Sequence, residues 1–344
     1  MKTAVVICPG RGTYNAPELG YLSRYFADTG LLARFDAMRA KADQETLTAL
    51  DAAARFSPTK HTRGDNGSAL IFAASYGDYA AIDRAEVEIV AVTGNSMGWY
   101  TALACGGALS PENGFMVANA MGTLMQRSMI GGQTIYPWVD EDWMPRPERK
   151  AHLLDLIDRI NARSGARLYL SIDLGGMLVA AGDAAGLDAF ENAVERVQGR
   201  FPMRLANHAA FHTPLQAPVA AQGREALPKA MFGQPALPLV DGGGQIWWPG
   251  SSDVSALYDY TLGAQVTQVY DFTRAVTVAA REFAPDLFII AGPGTTLGGA
   301  AAQSLILAQW RGMTNKADFK ASQDESGLLV SMGMAGQRGQ VAAR

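Results

Sequence analysis

The 344-residue chain is poor in several features that would assign a protein to a class at sight. It has only two cysteines, Cys8 and Cys105, far apart in sequence and each in an apolar context. That argues against a disulfide framework or a cysteine-built zinc site, and it suits a reducing compartment. No stretch approaches the roughly 18 apolar residues of a membrane span, and the apolar start stops at Pro9 without a signal-peptide cleavage site. Charge is sparse and balanced, with 29 Lys and Arg against 33 Asp and Glu. Neither nucleic acid nor an anionic membrane surface would find a footprint on it. The expectation is a cytoplasmic monomer with no nucleic-acid or membrane partner. Histidine is scarce too, so imidazole chemistry has four candidates: His61, His152, His208 and His212.

What the chain does have is 48% hydrophobic residues, enough for a sizeable core, and 37 glycines. Its centre of organisation is Val87 to Cys105. Val87 to Thr93 is a β-branched run of the kind buried in a parallel sheet. Gly94-Asn95-Ser96-Met97-Gly98 has the Gly-x-Ser-x-Gly form, and the small apolar residues after it read as a helix. A strand turning so tightly into a helix strains the serine and presents its Oγ at a helix head, where developing negative charge is favoured. An incidental serine in a tight turn is the plain alternative. The strand before it and the helix after it favour the nucleophile.

Along the rest of the chain, Thr3 to Cys8 reads as a strand ended by the turn Pro9-Gly10-Arg11-Gly12. That turn lacks the Lys-Ser/Thr of a phosphate-binding P-loop. Leu19 to Phe35, Ala37 to Ala54, Ala69 to Ile82 and Pro111 to Gln126 read as helices. After Gly131-Gly132 the order becomes strand, helix, strand, strand, helix, strand up to Ala206, a βαββαβ ferredoxin-like unit. The predicted architecture is α/β: a hydrolase-like main domain with a parallel sheet (1–131 and 207–312), an inserted ferredoxin-like small domain (132–206), and a C-terminal tail (313–344). His61 falls in a polar loop and His152 on a helix of the insert, so both are expected to be solvated. His208 and His212 lie where the chain rejoins the main domain. Gly292-Pro293-Gly294 lacks the βαβ unit and the ribose-binding acid that a dinucleotide site needs.

Four motifs, taken together and in order, resemble the malonyl-CoA:acyl carrier protein transacylases, the acyltransferase family of fatty-acid and polyketide synthesis. They are Pro9-Gly10-Arg11-Gly12, Gly94-Asn95-Ser96-Met97-Gly98, Phe211-His212-Thr213-Pro214-Leu215, and Gly292-Pro293-Gly294 with Leu297. The resemblance spans about residues 3 to 300. It implies a ping-pong acyl transfer from a coenzyme A thioester to an acyl carrier protein, with no bound cofactor. Ser96 would be the nucleophile and His212 the base, oriented by a backbone carbonyl at Gln265. The backbone N–H groups of Arg11 and Met97 would form the oxyanion hole.

The departures from the family pattern concern acyl recognition. Met121 stands where most malonyl-transferring members carry a carboxylate-binding arginine, Asn95 replaces the elbow histidine, and Asp173 replaces an asparagine of the small domain. Arg11 takes the place of a glutamine. Met121, Asn95 and Asp173 are therefore expected to shape the acyl pocket. A carboxylate buried beside Met121 without a cation would cost several kcal/mol. Either the acyl group is neutral, which is favoured, or Arg11 bends round the nucleophile to clamp a carboxylate. A hydrolase using the same dyad and a non-catalytic carrier-docking scaffold are the rival functions.

Overall fold

The computed structural model describes residues 1–27, 29–163 and 165–343. Its strands, in chain order, are β1 (Lys2–Cys8), β2 (Val87–Gly94), β3 (Gly132–Pro137), β4 (Leu168–Leu174), β5 (Met177–Gly182), β6 (Met203–Arg204), β7 (Leu239–Val240), β8 (Ile246–Trp247), β9 (Tyr270–Asp271), β10 (Leu287–Ile290) and β11 (Leu329–Ser331). They form two sheets, ordered β11-β10-β1-β2-β7-β8 and β6-β3-β5-β4-β9.

Pairing in the first sheet is parallel from β11 through β7 and antiparallel only at β8. Ala4 to Cys8 of the central β1 are wholly buried, as an apolar strand covered on both faces must be. The helices Gly98–Cys105 and Phe272–Phe283 both pack on β1 and β2. The second of these buries Phe272, Ala275, Val276, Ala279 and Ala280, a one-sided helical stripe. The helices Gly64–Ala81 and Pro111–Ser128 touch through their glycines: a Cβ on Gly122 would collide with the Gly64 carbonyl and with Ser68. This close approach forms the floor of the site described below.

The second sheet has the ferredoxin-like order, with helices Pro147–Asn161 and Ala184–Ala193 crossing between its strands. The β4–β5 hairpin turns at Gly175, whose φ of 63° favours glycine. β9, from the returning main chain, adds parallel to β4 and joins the two sheets. The α/β architecture with a parallel main sheet and a ferredoxin-like small one agrees with the sequence pattern.

The C-terminal segment does not. Expected to be a tail from residue 313, it folds as the helix Lys316–Ser326, capped by the Asn315 side chain, followed by β11 on the edge of the main sheet. Arg338 then reaches the core, where it pairs with the fully buried Asp78 and donates to the Tyr21 hydroxyl. A strand of three residues is too short to show a periodicity, and Asp78 and Arg338 are 260 residues apart. In the N-terminal region the two predicted helices are also broken into pieces, Tyr21–Phe26, Leu31–Lys41 and Leu47–Asp51. Gly30 in a left-handed conformation and the Thr46 cap divide them. Cys8 and Cys105 meet in the core as free thiols, with sulfurs 3.9 Å apart. Among the described residues no helix is long and apolar enough to cross a membrane.

Candidate active site

β2 ends at Gly94 and the helix Gly98–Cys105 begins four residues later. Both glycines are required by space. A Cβ on Gly94 would strike the Gly98 backbone, and a Cβ on Gly98 would strike the Cys8 carbonyl. Between them Ser96 holds φ at 55°, a left-handed conformation that costs a non-glycine residue free energy and is kept only by surrounding structure. That structure includes Asn95 N–H on the Cys8 carbonyl at 2.9 Å and the Tyr270 hydroxyl on the Gly94 carbonyl at 2.6 Å.

The Ser96 Oγ lies 2.6 Å from His212 Nε2, and His212 Nδ1 lies 2.6 Å from the Gln265 carbonyl oxygen. A carbonyl can only accept, so Nδ1 carries the proton and Nε2 turns its lone pair to the serine. Burial drives the His212 pKa down to about 4, against the upward pull of the Gln265 carbonyl. The imidazole is therefore neutral at pH 7. The Gln265 side chain secures its own backbone: Nε2 donates to the Ser96 carbonyl at 3.0 Å, and Oε1 accepts from the Tyr100 hydroxyl at 3.0 Å. Just before it, Tyr260–Ala264 forms one π-helical turn, a distortion frequent at functional sites.

The backbone N–H groups of Arg11 and Met97 donate to no protein atom among the described residues. Arg11 sits on the turn after β1, and Met97 is the residue immediately before the helix of the elbow. Gly10 lets these segments approach, since a Cβ there would stand 2.6 Å from the Asn95 carbonyl. The site is thus a serine with a basic partner, a fixed tautomer and two spare amide donors, all of which nucleophilic acyl chemistry uses.

Two cavities meet at Ser96. The larger, about 460 Å³, lies between the two sheets. Ile135, Ile172, Leu174, Met177 and Val179 of the small sheet form its apolar side, and Arg11, Asn95 and His208 contribute polar groups. The smaller, about 20 Å³, runs inward past Ser96 and is lined by Arg11, Ser68, Met97, Tyr100, Gly122, Met125, Phe211, His212 and Gln265.

Two expected pocket residues are elsewhere. Met121 is buried against Gly223 of the helix Ala217–Ala226, and Met125, one helical turn on, faces the inner pocket in its place. Asp173 points away from the cavity that its strand neighbours Ile172 and Leu174 line, because side chains alternate along a strand. It is held by Lys150 and by the Thr273 hydroxyl at 2.7 Å. Asn95 does line the larger cavity, with Oδ1 unpartnered. His152 is exposed, as expected. His61, expected in solvent, is buried against Phe56, with Nε2 3.0 Å from the Leu50 carbonyl oxygen. His208 lies 2.8 Å from Gln133 Oε1, and burial together with the Arg11 charge lowers its pKa to about 3. Sequence reasoning missed Ser68, which has no signal in an Ala-rich helix, and Met125, whose i+4 spacing from Met121 was the available clue.

The fold thus sets a strand–elbow–helix serine on a parallel sheet across a cleft from a ferredoxin-like small sheet. No protein-family model matches the chain. In sequence it is similar to polyketide synthase GfsB of Streptomyces halstedii, 28% identical over 217 residues, which covers 62% of this chain and 4% of that protein. It is also similar to the phenolphthiocerol synthesis polyketide synthase type I Pks15/1 of Mycobacterium marinum, 27% identical over 323 residues, or 90% of this chain and 14% of that one. The chain thus spans a small part of the curated relatives it matches. In structure it shares the fold of an acyl-carrier-protein S-malonyltransferase from Burkholderia pseudomallei, with TM-score 0.74 and 20% identity over 99% of both chains. A malonyl-transacylase in complex with a type II polyketide synthase acyl-carrier protein also matches, with TM-score 0.71 and 17% identity over 94% of this chain and 100% of that one.

Proposed function

We propose that the chain transfers an acyl group from a coenzyme A thioester to the phosphopantetheine thiol of an acyl carrier protein, through an ester on Ser96. The observation that carries this reading is the Ser96–His212–Gln265 relay opening onto the cleft between the sheets. Ser96 Oγ bonds to the thioester carbonyl carbon as its proton passes to His212 Nε2. The carbonyl oxygen, now negative, takes hydrogen bonds from the Met97 and Arg11 amides. Collapse breaks the C–S bond, and the departing sulfur takes the proton from His212. The carrier thiol then enters and its sulfur bonds to the ester carbonyl carbon as its proton passes to His212 Nε2; the C–O bond breaks and the departing Ser96 Oγ takes that proton back. Every proton and charge is accounted for by these groups, with the coenzyme A thioester and the carrier thiol as substrates and free coenzyme A and the carrier thioester as products. The polyketide-synthase similarity and the carrier-bound structural neighbour support the same assignment.

The test is intact mass after mixing pure protein with acetyl- and malonyl-coenzyme A. The expected result is an acyl adduct that is absent in Ser96→Ala and discharged by holo carrier protein. Turnover to free acid without carrier would assign a hydrolase instead, and no adduct from either donor would reject the acyl-serine reading.

A further inference from the structure

Two polar side chains are buried in the small sheet, where apolar residues would cost less to bury. Gln133 on β3 is 1% exposed and Ser171 on β4 is 0% exposed. Such groups are tolerated only if each finds a hydrogen-bond partner. Here Gln133 Nε2 donates to Ser171 Oγ at 2.8 Å, and Ser171 Oγ donates to the Phe211 carbonyl oxygen at 2.8 Å. A carbonyl only accepts, so the one hydroxyl proton of Ser171 goes to Phe211, and its oxygen must accept from the Gln133 amide nitrogen. That leaves Gln133 Oε1 for His208 Nδ1, 2.8 Å away. The direction of every bond in this chain follows from its last member.

That last member adjoins the dyad, because the Phe211 carbonyl and the His212 nitrogen belong to one peptide unit. Among the described residues this peptide makes no hydrogen bond other than the one from Ser171. His212 holds φ at 56°, a left-handed conformation that a non-glycine residue keeps only where its surroundings enforce it. φ is the rotation about the bond from that nitrogen to the Cα, so it sets where the imidazole lies relative to the peptide plane. Ser96 and the Gln265 carbonyl hold the ring end of His212, and Ser171 holds the backbone end. Ser171 is also the residue skipped where the β4–β5 register shifts between Leu170 and Ile172. A bulge of this kind re-aims the side chain it carries, and it is common beside active sites.

Resting on the acyl-serine reading above, we infer that Ser171, braced by Gln133, is a positioning residue for His212. It fixes the peptide from which the imidazole is aimed at Ser96. The small sheet therefore does more than form the far wall of the cleft, since two of its strands align the base on the other side.

The experiment measures the maximal rate of acyl-enzyme formation and the half-saturating donor concentration in the full chain, with acetyl- and malonyl-coenzyme A as donors. Ser171→Ala is expected to lower the maximal rate about tenfold, the scale of one lost hydrogen bond, with half-saturation unchanged. Stability falls in any case, because the variant orphans the Gln133 amide and the Phe211 carbonyl, so the kinetic readouts carry the test. Ser171→Thr, which keeps the hydroxyl, should retain most of the rate. In a His212→Ala background Ser171→Ala should cause no further loss, because the residue it acts through is gone. A merely structural serine would leave the rate of the folded protein unchanged, or lower it equally in both backgrounds. An unchanged rate in Ser171→Ala, a change confined to half-saturation, or a loss that persists in His212→Ala overturns the proposal and leaves the acyl-serine reading intact. If Ser171→Ala does not fold, Gln133→Met decides. A fall of about threefold in maximal rate that vanishes in His212→Ala supports the brace, and an unchanged rate rejects it. Absence of any adduct in wild type removes the acyl-serine reading, and this proposal with it.

Discussion

On the proposed acyl-serine reading, one backbone contact at His212 would take the place of a triad acid. The Gln265 carbonyl fixes the tautomer without adding a negative charge, so nothing offsets burial and the pKa falls to about 4. The base form is then present throughout the neutral range. We expect the rate of acyl-enzyme formation to be flat from pH 8 down to pH 6 and to decline only as pH falls through about 4. A stopped-flow profile with an inflection near the ordinary histidine value of about 6.5 would contradict this. His212→Ala should slow loading by about a thousandfold, with the melting temperature retained. His208, which faces Gln133 rather than Ser96, should tolerate Gln with far less effect on loading, measured in the same assay.

At the scale of elements, the C-terminal helix and β11 belong to the main domain. Their anchor is the Asp78–Arg338 pair, completed by the Tyr21 hydroxyl on Asp78 at 2.7 Å and by the Gly292 N–H on Asp78 at 2.7 Å. Gly292 belongs to the late Gly-Pro-Gly turn, so one buried carboxylate ties that turn, the helix Gly64–Ala81 and the chain end together. Arg338→Met leaves Asp78 buried without a cation and should cost about 3–5 kcal/mol in urea denaturation. Adding Asp78→Asn to Arg338→Met should recover part of that loss, since a neutral amide needs no counter-charge. Equal stability in the single and double variants would show that the ion pair is not what holds the segment.

For the molecule as a whole, the two sheets form the walls of one cleft, and the elbow lies at its base. Met203, 38% exposed, stands on the small-sheet wall. If the proposed acyl transfer is right, Met203→Trp should narrow the cleft and raise KM for both the coenzyme A donor and the carrier protein, with melting temperature unchanged. A rise for one substrate alone would mean separate routes to Ser96. Burial also links the site to global stability. His208 and His212 have folded pKa values of about 3 and about 4, below the ordinary histidine value. Between that value and their folded values the unfolded chain binds more protons, so stability is lost as pH falls from about 6.5 toward 4. The urea midpoint should therefore drop between pH 7 and pH 5, and drop less in His208→Gln.

The elbow and the βαββαβ order could be read from the sequence, because each rests on local pattern, whereas the residues alone left His208 and His212 both open and only the family resemblance of Phe211-His212-Thr213 favoured His212. Gly94 and Gly98 are required wherever a strand turns into a helix this tightly, and alternation or helical stripes mark elements a few residues long. What the tertiary structure alone decided is how elements distant in sequence face one another. Strand register turned Asp173 away from the cavity, and the packing of Met121 on Gly223 brought Met125 to the pocket. The same packing left Ser68 unpartnered in an Ala-rich helix and set Arg11 against Phe211, 200 positions away in the chain. It brought Cys8 to Cys105 and Arg338 to Asp78 as well. Local sequence specifies which element forms, whereas a buried side chain's partner is fixed by which surfaces close on each other, and no short window of residues encodes that.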